Sequence, residues 1–166
     1  MSSSNLALLP RLILAAGLGL LMASCISTKS PGNGGTVTKV NPYHLHDINK
    51  PLAAADPSYV FNRNALLHGA ISNSERQARQ GDYFTIFWEV DDRTQPVTVQ
   101  LEYRTKSSGM AIKSISQEVT DVKRKNVTKF EFIGQDFVTN GPVIAWRVNL
   151  VRGKEVITRY NSYLWE

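Results

Sequence analysis

The sequence predicts an all-β domain, a two-sheet antiparallel sandwich of about seven strands, and three observations lead there. In GDYFTIFWEVDD, from Gly81 to Asp92, Phe84, Ile86, Trp88 and Val90 fall on one side of an extended chain, and Tyr83, Thr85 and Glu89 on the other. The same period-2 alternation returns in Val97, Val99, Leu101 and Tyr103 and again in Ile144, Trp146, Val148 and Leu150. Turn-forming residues separate these runs every 8–12 positions or so, as in a sandwich.

Ala65 to Ile71, ALLHGAI, is a short apolar run and the expected first strand, with Gly69 at a kink or bulge. Ser72-Asn73-Ser74-Glu75 has the spacing of a capping box, so one or two helical turns follow to Gln80 and stop at Gly81. The strand Tyr83 to Val90 ends in the turn-rich Asp91-Asp92-Arg93-Thr94-Gln95-Pro96. Val97 to Arg104 is the cleanest half-buried strand, and Ser107-Ser108-Gly109 closes it. Ala111 to Val119 is poor in apolar anchors and is expected at a sheet edge. After the charged turn Asp121 to Asn126, Thr128, Phe130 and Phe132 alternate with Lys129 and Glu131 as a further strand. Gly134 to Gly141 is expected as an irregular connection, with the next strand starting near Pro142.

Parity sets the expected last hairpin. A three-residue loop, Val151-Arg152-Gly153, places Leu150 opposite Lys154, Val148 opposite Val156 and Trp146 opposite Thr158, with Gly153 in the left-handed position. Val156, Thr158, Tyr160, Ser162 and Leu164 then share the more apolar side. The pattern from Gly81 to Trp165 resembles the broad immunoglobulin-like and fibronectin type III-like superfamily. A tryptophan sits in an early core strand, a second in the penultimate one, and GPVIAWRVNLVRGKEVITRYNSYLW forms a closing hairpin. The inter-sheet cysteine pair of antibody domains is absent.

At 166 residues the chain has room for one ordinary domain with its own core. Its formal net charge is +5, and Arg11 is the only charged residue in 1–24, leaving 18 basic against 14 acidic residues beyond. Lys123-Arg124-Lys125 is the one dense cluster, a distribution that argues against nucleic-acid binding.

The N-terminal segment carries Arg11 and then an apolar run from Leu12 to Met22, shorter than the roughly 20 residues a membrane span needs. It ends in Leu21-Met22-Ala23-Ser24-Cys25, which resembles the lipobox of bacterial lipoproteins. That resemblance implies a signal peptide over 1–24, cleavage before Cys25, acyl chains on Cys25 and membrane attachment through them. Ile26, where Asp would retain a lipoprotein, implies the outer membrane. Residues 25–56 then read as lipid anchor and partly flexible tether, through the Ser-, Gly- and Pro-rich stretch Ser27 to Gly35 and a proline-interrupted approach, with the sandwich over 57–166.

Within that approach, His44, His46 and Asp47 invite a metal site, because alternate histidines on an extended chain point the same way. A site needs a further ligand, and among the histidines only His68 remains, so these residues are assigned to docking and no metal or cofactor is expected. No catalytic signature such as GxSxG, HExxH or a P-loop is present, and Glu89, Glu102 and Glu131 read as solvent-facing strand charges. A small hydrolase is therefore the least favoured function. The expected function is a non-enzymatic envelope lipoprotein that binds a protein partner. The partner surface is the outward side of the last two strands: Arg147, Arg159, Asn161, Tyr163 and Trp165, beside Asn149 and Ile157. A glycan ligand on the same face is the alternative, and packing of Tyr163 and Trp165 beneath the approach segment is the structural one.

Overall fold

A computed structural model describes residues 34–46, 48 and 56–165. Seven strands form two antiparallel sheets, as the alternation predicts. They are β1 (Gly35–Leu45), β2 (Gly81–Val90), β3 (Val97–Thr105), β4 (Lys113–Val119), β5 (Asn126–Ile133), β6 (Val143–Arg152) and β7 (Glu155–Asn161). The three-stranded sheet has the order β1-β2-β5 and the four-stranded sheet β4-β3-β6-β7. This is the immunoglobulin-like arrangement with the fourth strand on the side of the third, sixth and seventh. β4 lies at the sheet edge where its weak apolar pattern puts it.

The core fills the space between the sheets. Phe84, Ile86, Trp88 and Val90 of β2 and Phe130 of β5 meet Val97, Val99 and Leu101 of β3 and Val148 and Leu150 of β6. Trp88 is fully buried, and its indole N–H donates to the Thr128 hydroxyl at 3.0 Å, so its polar atom is satisfied in the interior. Trp146 is half-buried against this core, edge-on to Phe84 with ring centroids 5.9 Å apart.

Several elements differ from their sequence expectation. The first strand is Gly35–Leu45, so the sandwich begins within the stretch read as tether, and its boundary moves from 57 to about 35. A bulge at Thr38 breaks the alternation of β1, and Pro42 is tolerated because β1 is an edge strand. Ala65–Leu67 closes a helix, α1 (Pro57–Leu67), instead of opening a strand. The Asp56 carboxylate accepts from the Ser58 N–H at 2.7 Å and Pro57 occupies the first helical turn, where its missing N–H costs nothing. The capping box at Ser72 and Glu75 is present and starts α2 (Asn73–Ala78). Gly134 to Gly141 is not irregular but carries a short helix, α3 (Gln135–Asn140).

Bulges also shift two apolar side chains. Between Val143 and Ala145 the β3–β6 register slips, so Ile144 is 47% exposed while both neighbours are buried. The last hairpin turns on two residues, Gly153 and Lys154, between the paired Arg152 and Glu155. A bulge then restores the parity, pairing Leu150 with Thr158 and Val148 with Tyr160. The residue absorbed by that bulge is Ile157, which is buried in the core and not on the outer face, while Val156 and Leu164 are exposed.

Candidate functional site

The residues expected on the partner surface lie on the outer face of the four-stranded sheet, which carries a lattice of polar side chains. Across this face Glu102 of β3 pairs with Arg147 of β6 and Gln100 with Asn149, while Arg147 and Asn149 pair with Asn161 and Arg159 of β7. The Arg147 Nε donates to Glu102 Oε2 at 2.6 Å, and the Asn149 amide donates to the same oxygen at 3.0 Å and to Gln100 Oε1 at 3.1 Å. Burial by itself would raise the Glu102 pKa, but the Arg147 and Asn149 hydrogen bonds outweigh it and leave the carboxyl below its ordinary range. Glu102 is thus a paired carboxylate, not the freely solvated charge its alternation suggests. Asn149 is buried, and its Oδ1 has no hydrogen-bond partner.

Past Asn161 the chain folds back over this face. Ser162 N–H donates to the Trp146 carbonyl at 2.9 Å and the Ser162 hydroxyl accepts from the Trp146 N–H at 3.1 Å, setting the turn. Trp165 then stacks on two guanidinium groups, with Arg104 Cζ at 4.8 Å and Arg147 Cζ at 5.0 Å from the ring centroid. Trp165 is 9% exposed and so is not a free aromatic platform, and what it covers is the four-stranded sheet instead of the N-terminal approach. Arg159, Asn161 and Tyr163 remain exposed, Tyr163 at 93%. Of the five residues singled out by the sequence, three are available to a partner and two, Arg147 and Trp165, hold the surface in shape.

A second cluster lies where β1 ends against β2. The register places His44 opposite Asp82, and His46 follows directly after the strand. His44 Nδ1 is 2.7 Å and His46 Nε2 is 2.6 Å from Asp82 Oδ1, and the other carboxylate oxygen accepts the Val143 N–H at 2.6 Å. The Gln80 side-chain amide donates to the His46 carbonyl, and the Phe137 ring of α3 lies 4.9 Å from the His46 ring. Asp82 has no exposed surface, whereas both imidazoles reach solvent. Burial would raise the Asp82 pKa, but bonds from His44, the Val143 N–H and His46 overcome it and hold the carboxyl low. The hydrogen bond to Asp82 in turn raises His44 despite its burial.

The sequence named both histidines but not their partner. His68 sits at the end of α1, its carbonyl accepting from Arg79, and takes no part; Asp47 and Cys25 lie outside the described residues. One signal for Asp82 was present: it continues the inward parity of Phe84, Ile86 and Trp88, which places a carboxylate on the buried side of β2. Comparisons with protein-family models, with curated proteins and with solved structures find no match to this chain.

Proposed function

We propose that this chain is a membrane-anchored, non-enzymatic module of the cell envelope that holds a protein partner near the outer membrane through the outer face of its four-stranded sheet. The observation that carries this reading is the state of that face: the hydrogen-bonded Glu102–Arg147–Asn149 lattice holds the sheet surface in shape and leaves Arg159, Asn161 and Tyr163 exposed beside it. On the other sheet, α1 already packs over part of the outer face through Tyr43 and Tyr59, whose rings are 5.8 Å apart. The glycan alternative is weaker because Trp165, one of its two aromatic platforms, is buried against Arg104 and Arg147.

Attachment rests on the resemblance of Leu21–Cys25 to a lipobox. No helix among the described residues is long and apolar enough to cross a membrane. With β1 starting at Gly35, ten positions after Cys25, an acylated Cys25 keeps the sandwich within about 35 Å of the lipid even at full extension.

A photo-crosslinker at Tyr163, used in native envelopes and read by mass spectrometry, should trap one recurring protein. Arg159→Ala with Asn161→Ala should abolish that adduct without lowering the melting temperature. Adducts scattered over unrelated proteins, or one indifferent to both substitutions, would sink the reading. Clickable fatty-acid label should disappear in Cys25→Ser, and label that persists there would remove the anchor.

A further inference from the structure

We propose that His44, His46 and Asp82 form a binding site for one divalent transition-metal ion, of which zinc is the best match. The three side chains offer two imidazole nitrogens and a carboxylate oxygen, all within 4.8 Å of one another. That donor set suits zinc, copper or nickel and is a poor one for calcium or magnesium, which favour oxygen-rich shells. Three protein ligands with a fourth position open to water is the composition of an accessible zinc site. The exposure is arranged for it: Asp82 lies sealed in the interior while His44 and His46 reach solvent, so an ion arrives from outside and meets an anchored anion.

The surroundings hold the donors in place. Val143 N–H fixes the second oxygen of Asp82, leaving Oδ1 turned to both rings, and Gln80 fixes the backbone carrying His46. Support of this kind around the ligands is what keeps metal affinity high. The present spacings of 2.6 and 2.7 Å are those of hydrogen bonds, whereas ligands on one tetrahedral zinc stand roughly 3.3 Å apart. Binding therefore needs each ring to withdraw by a fraction of an ångström. Its shared proton moves to the other ring nitrogen, or to solvent where the ring carries two. Both rings are on or just past an edge strand and reach solvent, so each can withdraw outward without moving the β2 or β6 backbone.

The test is calorimetric titration of the full chain, in detergent micelles, with zinc chloride, paralleled by the visible spectrum of added cobalt(II). One ion per chain should bind with a Kd of about 10 μM or below, and cobalt should show the intense bands of a four-coordinate site. His44→Gln and His46→Gln should each weaken binding by about ten-fold or more, the pair should abolish it, and His68→Gln should leave it unchanged. Circular dichroism melts of the metal-free variants separate loss of a ligand from loss of the fold. Should the double variant not fold, the two single variants and the cobalt spectrum of the unaltered chain decide. No saturable binding at about 1 mM zinc, or binding that survives loss of both histidines or follows His68, would overturn the site and leave the cluster a hydrogen-bonded clasp.

Discussion

Replacing Arg147 by Met keeps most of its aliphatic stem and removes the guanidinium, and the structure sets what that loss should cost. Arg147 gives Glu102 a 2.6 Å charge-assisted bond, with side chains 31% and 18% exposed, so the pair lies between a surface bridge and a buried one. Surface pairs contribute about 0–1 kcal/mol, and breaking buried ones costs about 3–5. The Asn149 amide still donates to Glu102 after the change, so the expected loss is about 1–3 kcal/mol, including the stack on Trp165. Glu102→Gln completes a double-mutant cycle, and the coupling at pH 7 should be about 1–2 kcal/mol by urea unfolding. Because the folded-state pKa of Glu102 is depressed, its contribution is present above the ordinary carboxylate pKa and lost as pH falls through the lower folded value. The coupling should accordingly shrink as the pH is lowered below the ordinary carboxylate range. A coupling below about 0.3 kcal/mol at pH 7, or one that persists unchanged in acid, would refute the claim that this pair sets the face. The same reasoning disqualifies Arg147→Ala as a probe of partner binding, since it alters the surface it is meant to report on.

Gly81→Ala should be among the most damaging substitutions in the chain: a Cβ there would stand 2.1 Å from the Phe132 carbonyl oxygen, at a φ of 154°. A loss of about 3 kcal/mol or more, or no soluble protein, is expected. Gly153→Ala, with φ 58° and open space around it, should cost only about 1–2 kcal/mol by thermal melting. Equal melting temperatures for the two variants would contradict the register of β2 on β5. Thr128→Val removes the acceptor of the Trp88 indole and should cost about 1–3 kcal/mol, but near zero in a Trp88→Phe background, where no N–H is left unpaired. Denaturant midpoints of the four proteins measure this directly, and a similar cost in both backgrounds would mean the bond contributes nothing.

Legibility followed regularity. β2, β3, β5 and most of β6 were readable because each has one face in the core and keeps strict alternation across it. β1 was not, because the bulge at Thr38 changes its parity partway and Pro42 and His44 stand where apolar anchors would. Pro57 looks like a helix breaker yet begins α1, a difference decided by Asp56 as its cap. Ile144 and Ile157 were misplaced because a bulge swaps the face of a side chain without leaving any mark in composition. The His–Asp cluster needed more than parity. Inward-pointing Asp82 could be read from its strand, but the 38 positions between it and His44 close only once β1 and β2 are in register.

The distance of β1 from β2 along the chain also bears on how the sandwich closes. β6 and β7 pair across 3 to 14 positions, whereas β1 meets β2 across 36 to 55, with α1 and α2 between them. Closing the longer loop costs more entropy and slows pairing, so β1 joins β2 after the β6–β7 hairpin, on the same footing as β5 on β2 and β6 on β3, whose partners stand 38 to 53 positions apart. Until it arrives, β2 has one open edge, and the β1 of a neighbouring copy satisfies that edge with the same hydrogen bonds as its own. Chains folding at high concentration are therefore open to strand exchange, and His44 meeting Asp82 is equally correct in the exchanged pair.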